Sequence, residues 1–88
     1  MVNQLRAFSE PQIYGELVEI FRDVFRNPAL SLTPDMQAEQ IEGWDSFAQV
    51  NIIVAMENRF GVQFGASEAF QLRSVAALAS ALSVKLSV

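Results

Sequence analysis

Apolar residues recur with a helical period along three stretches of the chain, and cap and turn signals fall between them. In the first stretch Ile13, Leu17, Ile20, Phe21, Val24 and Phe25 stand at i, i+4, i+7, i+8, i+11 and i+12, one face of an amphipathic helix. Ser9-Glu10-Pro11-Gln12 precedes it. Ser9 can cap, Gln12 can bond back to complete a capping box, and Pro11 falls in the first turn, where its missing N–H does no harm. Asn27-Pro28 predicts the end of this helix. Residues 1–8 read as a mobile terminus.

Residues 27–45 carry no sustained period, and a loop of that length is uncommon in a small domain unless it is packed or functional. Leu30, Leu32 and Met36 are expected to pin it to the core, Thr33-Pro34 to open a short helical turn, and Ile41 to anchor its far end. The second helix is predicted over 46–60. Ile52, Ile53, Met56 and Phe60 share one of its faces, while Phe47, Val50 and Val54, at i, i+3 and i+7, form a second stripe nearly opposite. One stripe enters the core. The other is either an exposed contact surface or is buried under the long loop and a neighbouring helix, and the pattern leaves both open.

Gly61 is placed to end this helix in a left-handed turn, and Val62 and Phe64 to fold back on the core. Ser67-Glu68-Ala69-Phe70 predicts a short third helix. Ser74 is the cap of a last one, with Val75, Leu78, Ala79 and Leu82 facing inward. "VQF" is too short for a strand and has no alternating partner. The expected fold is therefore all-α: a bundle of three longer helices and one short one, with a long loop between helices one and two, forming a single domain over residues 1–88.

Composition narrows the function. A chain of 88 residues buries only about 60–65% of the surface its unfolded form exposes, and without cysteine no disulfide assists it. A hydrophobic content of 51% is sufficient for a compact core. No apolar run approaches the roughly 20 residues of a membrane span, and the N-terminus lacks a signal-peptide pattern, so a soluble cytoplasmic protein is expected. The absence of histidine and cysteine excludes Ser-His and Cys-His pairs and the usual zinc sites. A net charge of −4 argues against a nucleic-acid backbone as partner and favours basic protein surfaces. These absences point away from an enzyme.

One serine has a suggestive setting. Ser46-Phe47-Ala48-Gln49 matches the S-x-x-Q capping box, but Asp45 could serve as N-cap instead, and either choice is worth about 1 kcal/mol. If Asp45 caps, Ser46 stands at the first helical position with its hydroxyl free. A phosphate esterified there would lie beside unpaired backbone N–H groups and the positive end of the helix dipole. No general base for Ser46 can be named in the sequence.

The run "GWDSFAQVNIIVAMENRFGVQF", residues 43–64, resembles the attachment region of acyl carrier proteins, which place Asp-Ser-Leu at the head of the second helix. The similarity continues without gaps to "LRSVAALASAL" and takes in the first helix, covering about residues 10–85. It implies that a phosphopantetheinyl transferase, using coenzyme A and magnesium, attaches 4′-phosphopantetheine to Ser46, with Asp45 assisting at the transferase's metal. The arm's thiol would then carry an acyl group as a thioester, for fatty-acid-like, polyketide or other specialised biosynthesis. Acyl-loading and acyl-transferring enzymes are the further partners implied.

Carried over residue by residue, Phe47, Val50 and Val54 match the apolar surface offered to partner enzymes, which favours exposure for that stripe. Glu57 matches an acidic partner-binding position or is an ordinary solvated charge. Ile53, Met56 and Phe60 match positions that line an acyl pocket or simply pack the core. The chain departs from the family's pattern at Phe47, where leucine is usual, and at Asn51, Asn58 and Arg59, which make the second helix less acidic. Recognition by charge should be correspondingly weaker. The Trp44-Asp45-Ser46 context is closer to stand-alone carriers of specialised pathways, and a monomer is expected, although the charge-poor "ALASALSV" face offers a surface for self-association. An aminoacyl carrier ranks lower because the paired glycine before Asp-Ser is missing, and an unmodified carrier-like interaction module is the alternative outside the carriers.

Overall fold

In a computed structural model of the chain, which describes residues 9–86, the elements follow one another as α1 (Glu10–Val24), a 3-10 turn (Ala38–Gln40), α2 (Ser46–Phe60), α3 (Ala66–Gln71) and α4 (Val75–Leu86). The expected mobile segment 1–8 lies outside the described residues. There is no strand among the described residues, only an isolated antiparallel bridge between Gln37 and Ser74.

The start of α1 follows from its local chemistry. Gln12 N donates to Ser9 Oγ at 3.3 Å and Ser9 N to Gln12 Oε1 at 2.8 Å, a complete capping box. Ile13, Leu17, Ile20 and Phe21 are buried, while Val24 and Phe25 are half-buried against the same core. The helix ends with Arg26 in the left-handed region at φ 54° and Asn27 N donating to Arg22 O at 3.0 Å. On α2, Ile52, Ile53, Met56 and Phe60 are buried as their spacing requires. Gly61 ends α2 at φ 68°, where any side chain would be strained. Ser74 Oγ accepts from Ala77 N at 3.1 Å, and Val75, Leu78, Ala79 and Leu82 of α4 face the core. Helix α1 packs against α2 and α4, and α3 against α2.

The loop between α1 and α2 is ordered by backbone pairing as well as by apolar pins. Leu30, Leu32, Met36 and Ile41 are half-buried against the core. Ala38 N donates to Arg73 O and Val75 N to Met36 O, both at 2.9 Å, which lashes the loop to the segment entering α4. The helical turn expected at Thr33-Pro34 is displaced. Those residues form a tight turn closed by Met36 N to Thr33 O at 3.1 Å, and the 3-10 turn begins at Ala38. The physical reason is the pairing with Arg73 and Val75, contacts between residues distant in sequence.

Between α1 and α2, Arg59 reaches back to Glu16 and Glu19, with 2.8 Å to the latter. These carboxylates, Glu19 first and then Glu16, raise the guanidinium pKa further above its ordinary value. The pair is largely exposed, so its worth to the fold is small. The apolar core dominates: Leu17→Ala should cost about 2–5 kcal/mol, read as a lowered urea midpoint with an unchanged slope.

Candidate functional site

The loop is brought to Ser46 by one glycine and one tryptophan. Gly43 adopts φ 91°, a conformation open to glycine, with Phe25 packed alongside. The chain then turns Trp44 inward, where it is buried with its edge on the Phe21 ring, centroids 5.1 Å apart at 83°. Asp45 follows in extended geometry and caps α2, its Oδ1 accepting from Ala48 N at 2.9 Å. Of the two capping schemes the sequence allows, this structure adopts the aspartate one.

Ser46 is consequently the first residue of α2. It is exposed, and its hydroxyl has no hydrogen-bond partner among the described residues. The N–H groups of Ser46 and Phe47 precede the first intrahelical acceptor, and Asp45 occupies only that of Ala48. A phosphodiester on Ser46 Oγ would therefore meet free donors and the positive helix end. The exposed serine and the donors that the Asp45 cap leaves free suit an attached phosphate arm.

The second stripe of α2 lies at the surface. Phe47 is 76% exposed, Val50 43% and Val54 46%, and Phe70 of α3 joins them at 50%. A groove of about 190 Å³ runs between α2 and α3, lined by Gln49, Val50, Ile53, Val54, Glu57, Phe64, Ala69 and Phe70. Of the three residues expected at an acyl pocket, Ile53 lines this groove, whereas Met56 and Phe60 are buried in the core away from it. Glu57 is not simply solvated: its Oε2 accepts from Phe64 N at 2.9 Å and so fixes the turn that leads into α3.

Sequence reasoning missed Gln49. Its place in S-x-x-Q suggested a cap partner for Ser46, but the side chain is fully buried. Gln49 Oε1 accepts from Trp44 Nε1 at 2.6 Å, and Nε2 donates to Ala69 O at 2.7 Å and to Leu72 O at 2.8 Å. The signal was present: at 100° per residue Gln49 falls on the face of Ile52, Ile53 and Met56, where a polar group must be hydrogen-bonded internally. Trp44, Phe70 and Arg73 were also not read as site residues. Arg73 Nη2 donates to Trp44 O at 3.2 Å, and its guanidinium lies over the Trp44 ring at 5.9 Å.

A small helical bundle that presents a free serine hydroxyl at a helix head, beside an exposed apolar stripe, has the form of an attachment domain. Comparison with known proteins agrees. Residues 15–82 match the family described as phosphopantetheine attachment site. The chain is 32% identical over 69 residues to an acyl carrier protein of Thermobifida fusca (strain YX), covering 78% of this chain and 87% of that one. The solution structure of holo acyl carrier protein from Geobacter metallireducens superposes with a TM-score of 0.76 at 33% identity, covering 85% of this chain and 86% of the other.

The chain belongs to the acyl carrier protein family. It is a carrier and not an enzyme, and its cofactor is covalently attached 4′-phosphopantetheine. The roles at the helix head separate by substitution. Asp45→Ala should lower stability by about 0.5–2 kcal/mol through loss of the cap, whereas Ser46→Ala should stay within about 0.5 kcal/mol, both read from urea unfolding.

Proposed function

We propose that Ser46 carries the 4′-phosphopantetheine arm, and that this carrier domain holds acyl intermediates for fatty-acid-like, polyketide or other specialised biosynthesis. The observation that carries this reading is the exposed, unpartnered Ser46 hydroxyl at the first position of α2, left free because Asp45 is the cap. When bound, the arm supplies a terminal thiol on which the acyl group is held as a thioester; this chain has no thiol of its own.

Its own residues position and present. Asp45 holds the helix head and faces the transferase's metal, and the first-turn N–H groups receive the phosphate. With no base in hydrogen-bond contact with Ser46 Oγ among the described residues, the phosphopantetheinyl transferase takes up the hydroxyl proton. Phe47, Val50 and Val54 form the contact surface for acyl-loading and acyl-transferring enzymes, with the uncommitted oxygen of Glu57 available to a basic partner residue. Ile53 lines the space open to an acyl chain, and Met56 and Phe60 support it from the core. We take the compartment to be the cytoplasm and the carrier to act as a monomer. No helix among the described residues is long and apolar enough to cross a membrane.

Incubation with coenzyme A, magnesium and a broad-specificity phosphopantetheinyl transferase should add one phosphopantetheine mass, read by intact-protein mass spectrometry. The Ser46→Ala protein should add none. An increment that persists in Ser46→Ala would move the attachment elsewhere. Val54→Asp should keep the circular dichroism and unfolding midpoint of the parent while lowering kcat/KM of an acyl-loading enzyme by about tenfold or more, as loss of a central contact does. Unfolding of that variant would instead make Val54 a core residue.

A further inference from the structure

Helix α3 is held in an unusual way for a packed element. Its six residues contribute a single buried side chain, Ala69, while Phe70 stands half in solvent. An element with so little buried apolar surface must owe its position to other contacts. Phe64 and Leu72 on either side of it are half-buried against the core, and the contacts that fix its own backbone are polar. At its C-terminal end the carbonyls of Ala69 and Leu72 both accept from Gln49 Nε2, at 2.7 and 2.8 Å. At its entry Glu57 Oε2 accepts from Phe64 N at 2.9 Å, and from α4 Lys85 Nζ reaches Glu68 at 3.3 Å and sits 4.8 Å over the Phe64 ring.

The Glu68–Lys85 pair is partly exposed and weak on that account. The Gln49 contact is buried and uses both amide hydrogens of Nε2 and one of the two lone pairs of Oε1, so loosening it strands groups that water does not reach. The same amide is bound through Oε1 to Trp44, two residues before Ser46. It also lines the groove between α2 and α3.

We propose that Gln49 is the positioning residue that latches α3 to α2 and to the turn bearing Ser46, and thereby keeps the groove between the two helices small. The latch itself is independent of cargo. Its consequence for cargo rests on the reading that Ser46 bears an acylated arm: a groove of about 190 Å³ is only slightly larger than a cavity that holds one benzene, so the latched protein shelters short acyl chains. Freeing α3 admits longer ones.

The first test uses the full, unmodified chain. Gln49→Leu removes all three hydrogen bonds at similar bulk, and Gln49→Glu keeps an acceptor for Trp44 Nε1 but, when ionised, has no donor for Ala69 O and Leu72 O. Native-state hydrogen exchange of both variants should show α3 amides such as Ala69 exchanging about tenfold faster relative to α1 and α4, the change expected from losing two buried hydrogen bonds. The single tryptophan reports the other half of the latch. Trp44 emission should change in Gln49→Leu more than in Gln49→Glu. Unchanged α3 exchange, or equal acceleration of every helix, overturns the proposal.

The second test uses the carrier loaded with saturated acyl chains of graded length and follows thioester cleavage by hydroxylamine. The parent should slow cleavage for short chains, and Gln49→Leu should extend protection to longer ones. Selective loosening of α3 with no protection at any length in either protein would keep the latch and sink the acyl-shelter reading. Protection with an identical length limit in both would overturn the role of Gln49 in setting the groove.

Discussion

A carboxamide shut away from water must find all its partners in protein, and in this chain the partners of Gln49 belong to three different segments. Its oxygen receives the Trp44 indole from the end of the long loop, and its nitrogen serves carbonyls at the end of α3 and in the link to α4. Burial without these bonds would cost several kcal/mol, so the loop, the helix head and α3 can settle only in arrangements that meet one another at this amide. Every buried side-chain polar atom among the described residues is in fact satisfied. The core supplies most of the free energy of folding, but it is indifferent to small slides of a six-residue helix. The amide is not.

The same constraint accounts for the helix head. Trp44 is drawn inward by Phe21 on one side and Gln49 on another, with Arg73 over its ring and on its carbonyl. With Trp44 fixed, Asp45 arrives in extended geometry with its carboxylate over the Ala48 N–H. Ser46 is then one residue too late to cap. Its hydroxyl is left to solvent by its neighbours' commitments rather than by any contact of its own.

How far the fold was legible in the sequence follows from the range of the forces involved. The periods of α1, α2 and α4, the Ser9–Gln12 box, the Ser74 cap and the Gly61 stop are local devices, each complete within a few residues, and each stands where its pattern put it. The 3-10 turn was misplaced because its position is set by bonds from Ala38 to Arg73 and from Val75 to Met36, which no local window contains. Gln49 was misread because a local signal, its spacing from Ser46, competed with a periodic one, its place on the core face. Glu57 likewise has the look of a surface charge until Phe64 N is brought to it by the turn after Gly61. The place of Ser46 at the head of α2 was legible from Asp-Ser at a helix start, but the choice between Asp45 and Ser46 as cap needed the position of Trp44.

The charges of α2 show what is left for recognition once the fold has taken its share. Arg59 is turned to Glu16 and Glu19 on α1, and one oxygen of Glu57 holds the entry to α3. The remaining surface beside Ser46 is carbon from Phe47, Val50, Val54 and Phe70, interrupted by the amide of Asn51. Such a surface exerts little long-range pull of its own, so on the reading that partners dock there, the selectivity of docking rests mainly on shape and apolar fit at short range. Phe47 is the most exposed of these groups and adjoins the serine, so on the reading that Ser46 bears the arm, the enzymes that reach it must accommodate that ring. On that reading, a residue that departs from the family's pattern stands directly beside the point of attachment.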